Sequence, residues 1–453
     1  MRWLANLFTV VGRCFVILAG ALASLFRLVG VGLSALRGEG TLGDRLGTRF
    51  GEAVNQRAVF KVLRTFAPNL VLRRRIVQAY ENSGTAIITR DKDVREVLDH
   101  NWAFQVVYAP KMDKITGSGN FFLGMQNTSE YTRDVSNMRL AARREDIASI
   151  LAPFVAAEAA QCIAKANGRL DLPQTLTLPL LARMVGRYFG TPGPSEQAMI
   201  EWTTAMFWYL FIDLAGTPDV ETRALDAAEK CRDYLDTEIA KRKANPRSQE
   251  DVLGRCLQMQ SAGVPGLDDL GIRNNLIGLI IGFIPTISVA CVQALDILLD
   301  RPDELRGAQA AAAAGDDERL AAYLFEALRF NPLNPIIYRR AAADYVVAKG
   351  TLRARRIPKD TMVLAANLSA MFDAWTVPDA DSFRLDRPWS TYILFGYGLH
   401  ACFGEHINRA VIPQILKPLL AQQGLRRAAG KKGQVDRGGT PLPIHMIVEF
   451  DPS

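Results

Sequence analysis

Cys402 stands in the stretch Phe395-Gly396-Tyr397-Gly398-Leu399-His400-Ala401-Cys402-Phe403-Gly404, which runs straight into an apolar-periodic segment, Glu405 to Leu420. The pattern is Phe-x-x-Gly-x-His-x-Cys-x-Gly. A thiolate is a soft, strong ligand for a transition metal. At the amino end of a helix it can accept backbone N–H hydrogen bonds and feel the positive end of the helix dipole. Those influences tune an iron atom held by sulfur. Gly398 and Gly404 permit a tight turn and a close approach of the backbone to a flat ligand, and Phe395 would pack near the sulfur and keep water out. A cysteine taken alone is more often a small buried apolar residue. The fixed spacing argues for a ligand.

The segments that must position this loop come in a definite order. Glu326 and Arg329 lie three apart in an apolar-periodic segment beginning near Leu320, so one helix face carries both. Phe330-Asn331-Pro332 follows, then a basic and β-prone stretch from Arg339 to Val347, then Phe383-Arg384-Leu385-Asp386-Arg387, then the cysteine loop. This series resembles the cytochrome P450 superfamily, the haem-thiolate monooxygenases, over residues 40–453 and most closely over 320–425. The resemblance implies a mainly α fold with small β-sheets, a long distal helix across the haem and the cysteine loop on the proximal side. It implies haem b as cofactor and Cys402 as the axial, metal-binding ligand. By position, Glu326, Arg329 and Arg387 correspond to a structural charge triad. His400 and Arg340 correspond to partners of the haem propionates, and Phe395, Gly398 and Gly404 to residues lining the cofactor.

Periodicity is independent of that resemblance and agrees with it. Helical spacing dominates over Ile147–Asn167, Gln197–Leu214, Glu221–Lys243 and Leu270–Leu299. Short β-prone stretches occur at Thr85–Ile88, Tyr345–Val347, Met362–Ala365 and Ile444–Glu449. Lys243–Glu250 reads as the loop between two long helices, and Ala308–Ala314 as the end of a short helix. No repeat and no true linker is visible, so residues 39–453 read as a single catalytic domain behind an apolar, basic segment at 1–38.

The helix over Leu270–Leu299 departs from the family pattern. Relatives carry Ala/Gly-Gly-x-Asp/Glu-Thr, an acid and a threonine that deliver protons to iron-bound oxygen. Here Gly282-Phe283-Ile284-Pro285-Thr286 places Thr286 at the threonine, Pro285 at the acid and Phe283 at the second glycine. Proline inside a helix costs about 3 kcal/mol, so a kink is expected. Two activities follow from the resemblance. One is a monooxygenase using dioxygen, with Thr286 and water standing in for the relay. The other is a peroxygenase or fatty-acid hydroperoxide isomerase, which needs no electron donor and no acid. Where relatives carry His-Thr-Arg, this chain has Tyr131-Thr132-Arg133, and either Tyr131 or Arg133 could reach a propionate. The glycine-rich Gly117–Met125 segment fits a mobile loop lining an apolar pocket, and with Phe207–Phe211 and Pro335–Tyr338 it suggests a lipophilic substrate.

Residues 1–38 contain no acidic side chain, while Arg2, Arg13, Arg27 and Arg37 punctuate apolar blocks. Cys14–Phe26 is too short to cross a bilayer. Extension to Ala35 suffices in length but buries Arg27, at roughly 3 kcal/mol near the midplane. A basic amphipathic or shallow anchor, at the cytoplasmic face of a membrane, is the preferred expectation, with a buried core helix in the cytoplasm as the alternative. The net charge is +7. Without a stacking motif or recognisable module it does not argue for nucleic acid. In the resembling family a basic face receives an acidic electron carrier such as a ferredoxin, and this charge permits one. The six cysteines form no Cys-x-x-Cys pair, so structural zinc and dithiol chemistry have no support.

Overall fold

The computed structural model describes residues 2–37, 41–246 and 250–452. The expected boundary at 38–39 and part of the 243–250 loop therefore lie outside the described residues. The chain forms two compact units. The first comprises residues 1–76, 82–105 and 329–398, and the second 77–81, 106–328 and 399–453.

The first unit is built on a five-stranded sheet of order β1-β2-β8-β5-β3: β1 (Asn69–Leu72), β2 (Gly84–Ile88), β8 (Thr361–Ala365), β5 (Ile337–Ala341) and β3 (Phe104–Gln105). Only β2 and β8 run parallel, paired from Gly84↔Thr361 to Ile88↔Ala365. Every residue of β8 is buried, as a central strand covered on both faces requires. β6 (Tyr345–Val347) and β7 (Arg355–Ile357) form a separate hairpin. Five helices complete the unit: α1 (Arg2–Ala35), α2 (Leu42–Gly51), α3 (Ala53–Phe66), α4 (Asp91–Asp99) and the short α16 (Asn367–Ala370).

The second unit is almost wholly helical. It contains α5 (Ala109–Thr116), α6 (Ser129–Ala141), α7 (Ala152–Lys165), α8 (Leu178–Met184), α9 (Glu196–Phe207), α10 (Pro218–Ala244), α11 (Val252–Ser261), α12 (Asp269–Ile281), α13 (Ile284–Leu299), α14 (Pro302–Ala314), most of α15 (Asp317–Phe330) and α17 (Glu405–Leu420). Its one sheet has the order β4-β10-β9: β4 (Arg169–Asp171), β10 (Ile447–Glu449) and β9 (Arg426–Arg427). Several helices start from side-chain caps on Thr128, Ser195, Asp251 and Asp268, each accepting a backbone N–H three residues on.

The single distal helix expected over 270–299 is corrected to two. α12 ends at Ile281, Gly282 and Phe283 form a turn, and α13 begins at Ile284 with Pro285 in its first turn. At that position the missing N–H of proline has no intrahelical partner to lose, so the interior-proline cost does not arise. Ile284, the residue before the proline, is itself helical, and the interruption is confined to Gly282 and Phe283. Phe283 is 5 % exposed and packs edge-on against Phe189, ring centres 5.3 Å apart.

Candidate functional site

The cysteine loop leaves the first unit at Gly398 and enters the second at Leu399. Gly396 and Gly398 have φ of 81° and 71°, the left-handed region that side chains strain to adopt. A Cβ on Gly398 would also stand 3.1 Å from the Leu98 carbonyl oxygen. Phe395 stacks on Trp389 with ring centres 6.2 Å apart, and Arg95 lies over the Tyr397 ring at 4.9 Å.

In the second unit Cys402 sits three residues before α17, whose first-turn residue Glu405 donates its N–H to the Cys402 carbonyl oxygen at 3.3 Å. Cys402 is exposed as a residue, yet desolvation dominates at its sulfur and pushes the thiol pKa up, against the Gly404 N–H, which donates to the sulfur and pulls it down. The two observations concern different atoms, and for the chemistry the sulfur's surroundings decide. A Cβ at Gly404 would lie 3.8 Å from that sulfur and, more tightly, 3.2 Å from Asn408 Nδ2. Cys231 and Cys256 are held by burial at thiol pKa values of about 12, and Cys291 is pushed up as well. Cys402 is therefore the cysteine with both accessibility and a backbone donor. That donor set, a sulfur at a helix amino end with one N–H on it, fits a haem-thiolate ligand.

His400 is buried at 9 % exposure, and its ring meets Tyr131 edge-on at 4.9 Å. The Tyr131 hydroxyl donates to the Leu399 carbonyl oxygen at 2.7 Å. Of the two residues left open in Tyr131-Thr132-Arg133, Tyr131 is thus the one at the cysteine loop. Arg133 instead pairs with Asp134 at 2.8 Å and is 40 % exposed. Next to the loop, Phe122 packs against Phe403 with ring centres 5.4 Å apart.

Arg340 of β5 pairs with Met362 of β8, is 39 % exposed and lies 3.6 Å from Asp360. Its neighbour Arg339, opposite Val363, is the inward member of the pair at 3 % exposure. Alternation along a strand sends adjacent side chains to opposite faces, so only one of the two arginines can point into the unit.

Glu326 and Arg329 are both fully buried, one turn apart on α15. The Arg329 guanidinium donates to the carbonyl oxygens of Met371 (3.2 Å), Ala380 (2.8 Å) and Ser382 (3.0 Å), and lies over the Phe372 ring at 4.3 Å. Arg387 donates to Pro378, Asp379 and again Ser382, at 2.7, 2.7 and 2.9 Å. Two arginines far apart in sequence thus share one carbonyl and fix the 371–387 loop.

At the distal break the Thr286 hydroxyl donates to the Gly282 carbonyl oxygen at 2.6 Å. Pro285 and Val289 line a cavity of about 540 Å³ together with Ile200, Trp208, Leu442 and Ile444. The 117–125 loop is held rather than loose. Arg273 donates to the Thr116 carbonyl and Asn274 to the Ser118 carbonyl, both at 2.8 Å. Phe121, 2 % exposed, fits against Gly278 of α12, where a Cβ would come within 2.4 Å of its ring.

Sequence reasoning missed Lys111. It looks like an ordinary lysine on a short helix, yet it is 5 % exposed. Its ammonium donates to the carbonyl oxygens of Tyr209 (2.6 Å) and Asp213 (3.0 Å), stands 3.7 Å from the Asp213 carboxylate, and lies over the rings of Tyr209 and Tyr80 at 4.3 and 5.1 Å. It fastens α5 to the π-helical turn Trp208–Ile212 that walls the cavity. Desolvation lowers its pKa from 10.5 to about 8, against the pull of Asp213 and Glu221. The unfolded chain therefore holds the extra proton between those two values, so stability gained at this site rises with pH across that window. The stability of the wild type relative to Lys111→Met is expected to grow by about 1–2 kcal/mol from pH 8 to 10.5, after allowance for screening. Denaturant melts of both proteins across that range measure it, and a flat difference would contradict it.

Comparison with known proteins joins these observations. The family described as Cytochrome P450 matches residues 195–422, half of the chain. The chain is 24 % identical over 373 residues to the mycinamicin IV hydroxylase/epoxidase of Micromonospora griseorubida, covering 79 % of this chain and 88 % of that protein. It is 40 % identical over 83 residues to the linoleate diol synthase of Gaeumannomyces graminis, a match that spans 18 % of this chain and only 7 % of that protein. The crystal structure of P450BioI with a hexadec-9Z-enoic acid ligated acyl carrier protein superposes with a TM-score of 0.74 at 18 % identity, over 88 % of this chain and 98 % of that one, a likeness of fold. With its helical fold, small sheets and cysteine loop, the chain belongs to the cytochrome P450 family, whose cofactor is haem.

Proposed function

We propose that the protein is a haem-thiolate monooxygenase that inserts one atom of dioxygen into a lipophilic substrate, with Cys402 as the residue that would hold the haem iron. The observation that carries this reading is the Cys402 sulfur at the head of α17 with the Gly404 N–H on it. Bound haem supplies the redox chemistry that cleaves an oxygen–oxygen bond. The remaining tasks fall to side chains. Gly404 moderates the sulfur's basicity. Tyr131 orients the Leu399 carbonyl and abuts the His400 ring. His400 and Arg340 are the proposed propionate partners. Thr286 holds its hydroxyl proton on the Gly282 carbonyl and would be the group that supplies it during the reaction.

The stoichiometry requires two electrons and two protons besides dioxygen, giving hydroxylated or epoxidised product and water. An acidic one-electron carrier, such as a ferredoxin, is the proposed donor. Arg139, Arg143, Arg144 and Arg409 belong to α6, α17 and the segment after α6, near the exposed Leu140 and near His406, whose pKa is lowered by desolvation and then by Arg144. The long apolar α1 supports a position at a membrane surface.

A second reading is favoured by Pro285 in the place of an acid and by the buried Phe283 beside it. A hydroperoxide-driven reaction needs neither electrons nor that carboxylate, and the short likeness to a linoleate diol synthase points the same way. The holoenzyme should be supplied either with dioxygen, NADPH, a ferredoxin and its reductase, or with a fatty-acid hydroperoxide alone. Turnover with the first supports monooxygenation; turnover only with the second overturns it. Under the dioxygen assay Thr286→Ala is expected to lower product formed per oxygen consumed about tenfold, the scale of one proton-delivery group. Unchanged coupling would remove Thr286 from the mechanism.

A further inference from the structure

Three stretches of the first unit lack acidic side chains: residues 1–38, 53–76 and 345–359. The fold brings them together. α1 lies antiparallel along α3, with Arg27 Nε donating to Asn55 Oδ1 at 3.0 Å and Gly20 so near Lys61 that a Cβ would stand 3.0 Å from its Cε. At a common rise per residue, that register carries Phe15, 72 % exposed, to the level of Phe66, 52 % exposed, where α3 ends. Three residues later begins β1, whose Asn69 side chain donates to the Arg353 carbonyl oxygen at 3.0 Å and so binds the 348–354 turn. Leu352 at the tip of that turn is fully exposed, flanked by exposed Lys349 and Arg355. β1 itself runs out into Arg73-Arg74-Arg75-Ile76, all exposed. Arg353 and Arg356 are occupied by Asp93 and Asp344, so the excess positive charge rests on the others.

We infer that this is a two-point docking face for an anionic lipid bilayer, with α1 lying in the membrane plane and the Leu352 turn, flanked by Lys349 and Arg355, as a second foot, and with Arg73–Arg75 adding positive charge past the far end of β1. The inference deepens the membrane reading given above and rests on it. Val11–Ala35 is long and apolar enough to cross a bilayer. Crossing, however, would strip the helix from α3, to which Arg27 is hydrogen-bonded and along which Ala21 is fully buried. Lying flat, the helix keeps those contacts while Phe15, Phe26 and Leu33, all more than half exposed, enter the acyl boundary. The excess of cations beside isolated exposed apolar side chains fits a negatively charged headgroup layer.

The test is sedimentation of the full-length holoenzyme with vesicles of phosphatidylcholine alone or mixed with phosphatidylglycerol. Wild type is expected to prefer the mixed vesicles and to be released by an alkaline wash. Replacing Arg73, Arg74 and Arg75 together by glutamine should weaken that binding on the order of a hundredfold, and Leu352→Asp about tenfold. The carbon-monoxide spectrum of each variant serves as the folding control. Variants that bind like wild type, equal binding to both vesicle types, or wild type retained through the alkaline wash each overturn the two-point face while leaving an anchoring α1 intact. Failure of wild type to bind either vesicle overturns the membrane reading itself.

Discussion

Cys402→Ala is expected to abolish the thiolate-type absorption of the reduced carbon-monoxide complex and all turnover, while leaving the fold in place. The residue is exposed and lies in a loop ahead of α17, so truncating it opens no core cavity. The other cysteines make the result specific. Cys231, Cys256 and Cys291 are buried thiols pushed far up by desolvation, which favours the protonated form, a poor ligand. Cys162 bonds to the Thr175 carbonyl at 3.2 Å, and its pKa is raised too. Alanine at any of these should leave the spectrum unchanged. Persistence of the thiolate-type spectrum in Cys402→Ala would remove the ligand assignment, and with it the proposed chemistry.

The second large effect is expected at Arg329. A fully buried guanidinium with three carbonyl acceptors and an aromatic ring beneath it replaces water completely. Alanine would leave the Met371 and Ala380 carbonyls without that donor in the interior, while Ser382 keeps Arg387. Losses of this type run to about 3–5 kcal/mol, against a total stability of roughly 5–15 kcal/mol. Arg329→Ala should therefore accumulate poorly and retain little haem. Lysine preserves charge but not the planar fork, and is expected to recover only part of the loss. Arg387→Ala, at a more exposed position, should cost no more than about 2 kcal/mol. Thermal melts and the haem-to-protein ratio measure all three. Arg329→Ala within about 1 kcal/mol of wild type would contradict the account.

How far the sequence discloses these sites depends on whether the determining contacts are local. The cysteine loop is readable because glycine positions, the thiol and the following helix are neighbours in the chain. Arg339 against Arg340 is not, because adjacent residues of a strand exchange roles with a one-residue change of register, and that register is set by β8, more than twenty residues away. The distal break lies between: Pro285 announces it, but Gly282 and Phe283 decide where α12 stops. Lys111 gives no local sign at all, since its partners Tyr209 and Asp213 lie about a hundred residues on. Tyr131 and Arg133 separate only once α6 has turned one toward His400 and the other toward Asp134.

The contact between Gly278 and Phe121 has a consequence for how α12 and the 117–125 loop can vary. The helix and the loop share one volume, because the ring of Phe121 occupies the space a side chain at 278 would need. A larger residue on α12 must be matched by a smaller one in the loop, or the loop must shift. The two positions are thus one variable rather than two, and substitutions there will combine non-additively. Changing either alone strains this contact, whereas paired exchange keeps the packing and alters only its outline.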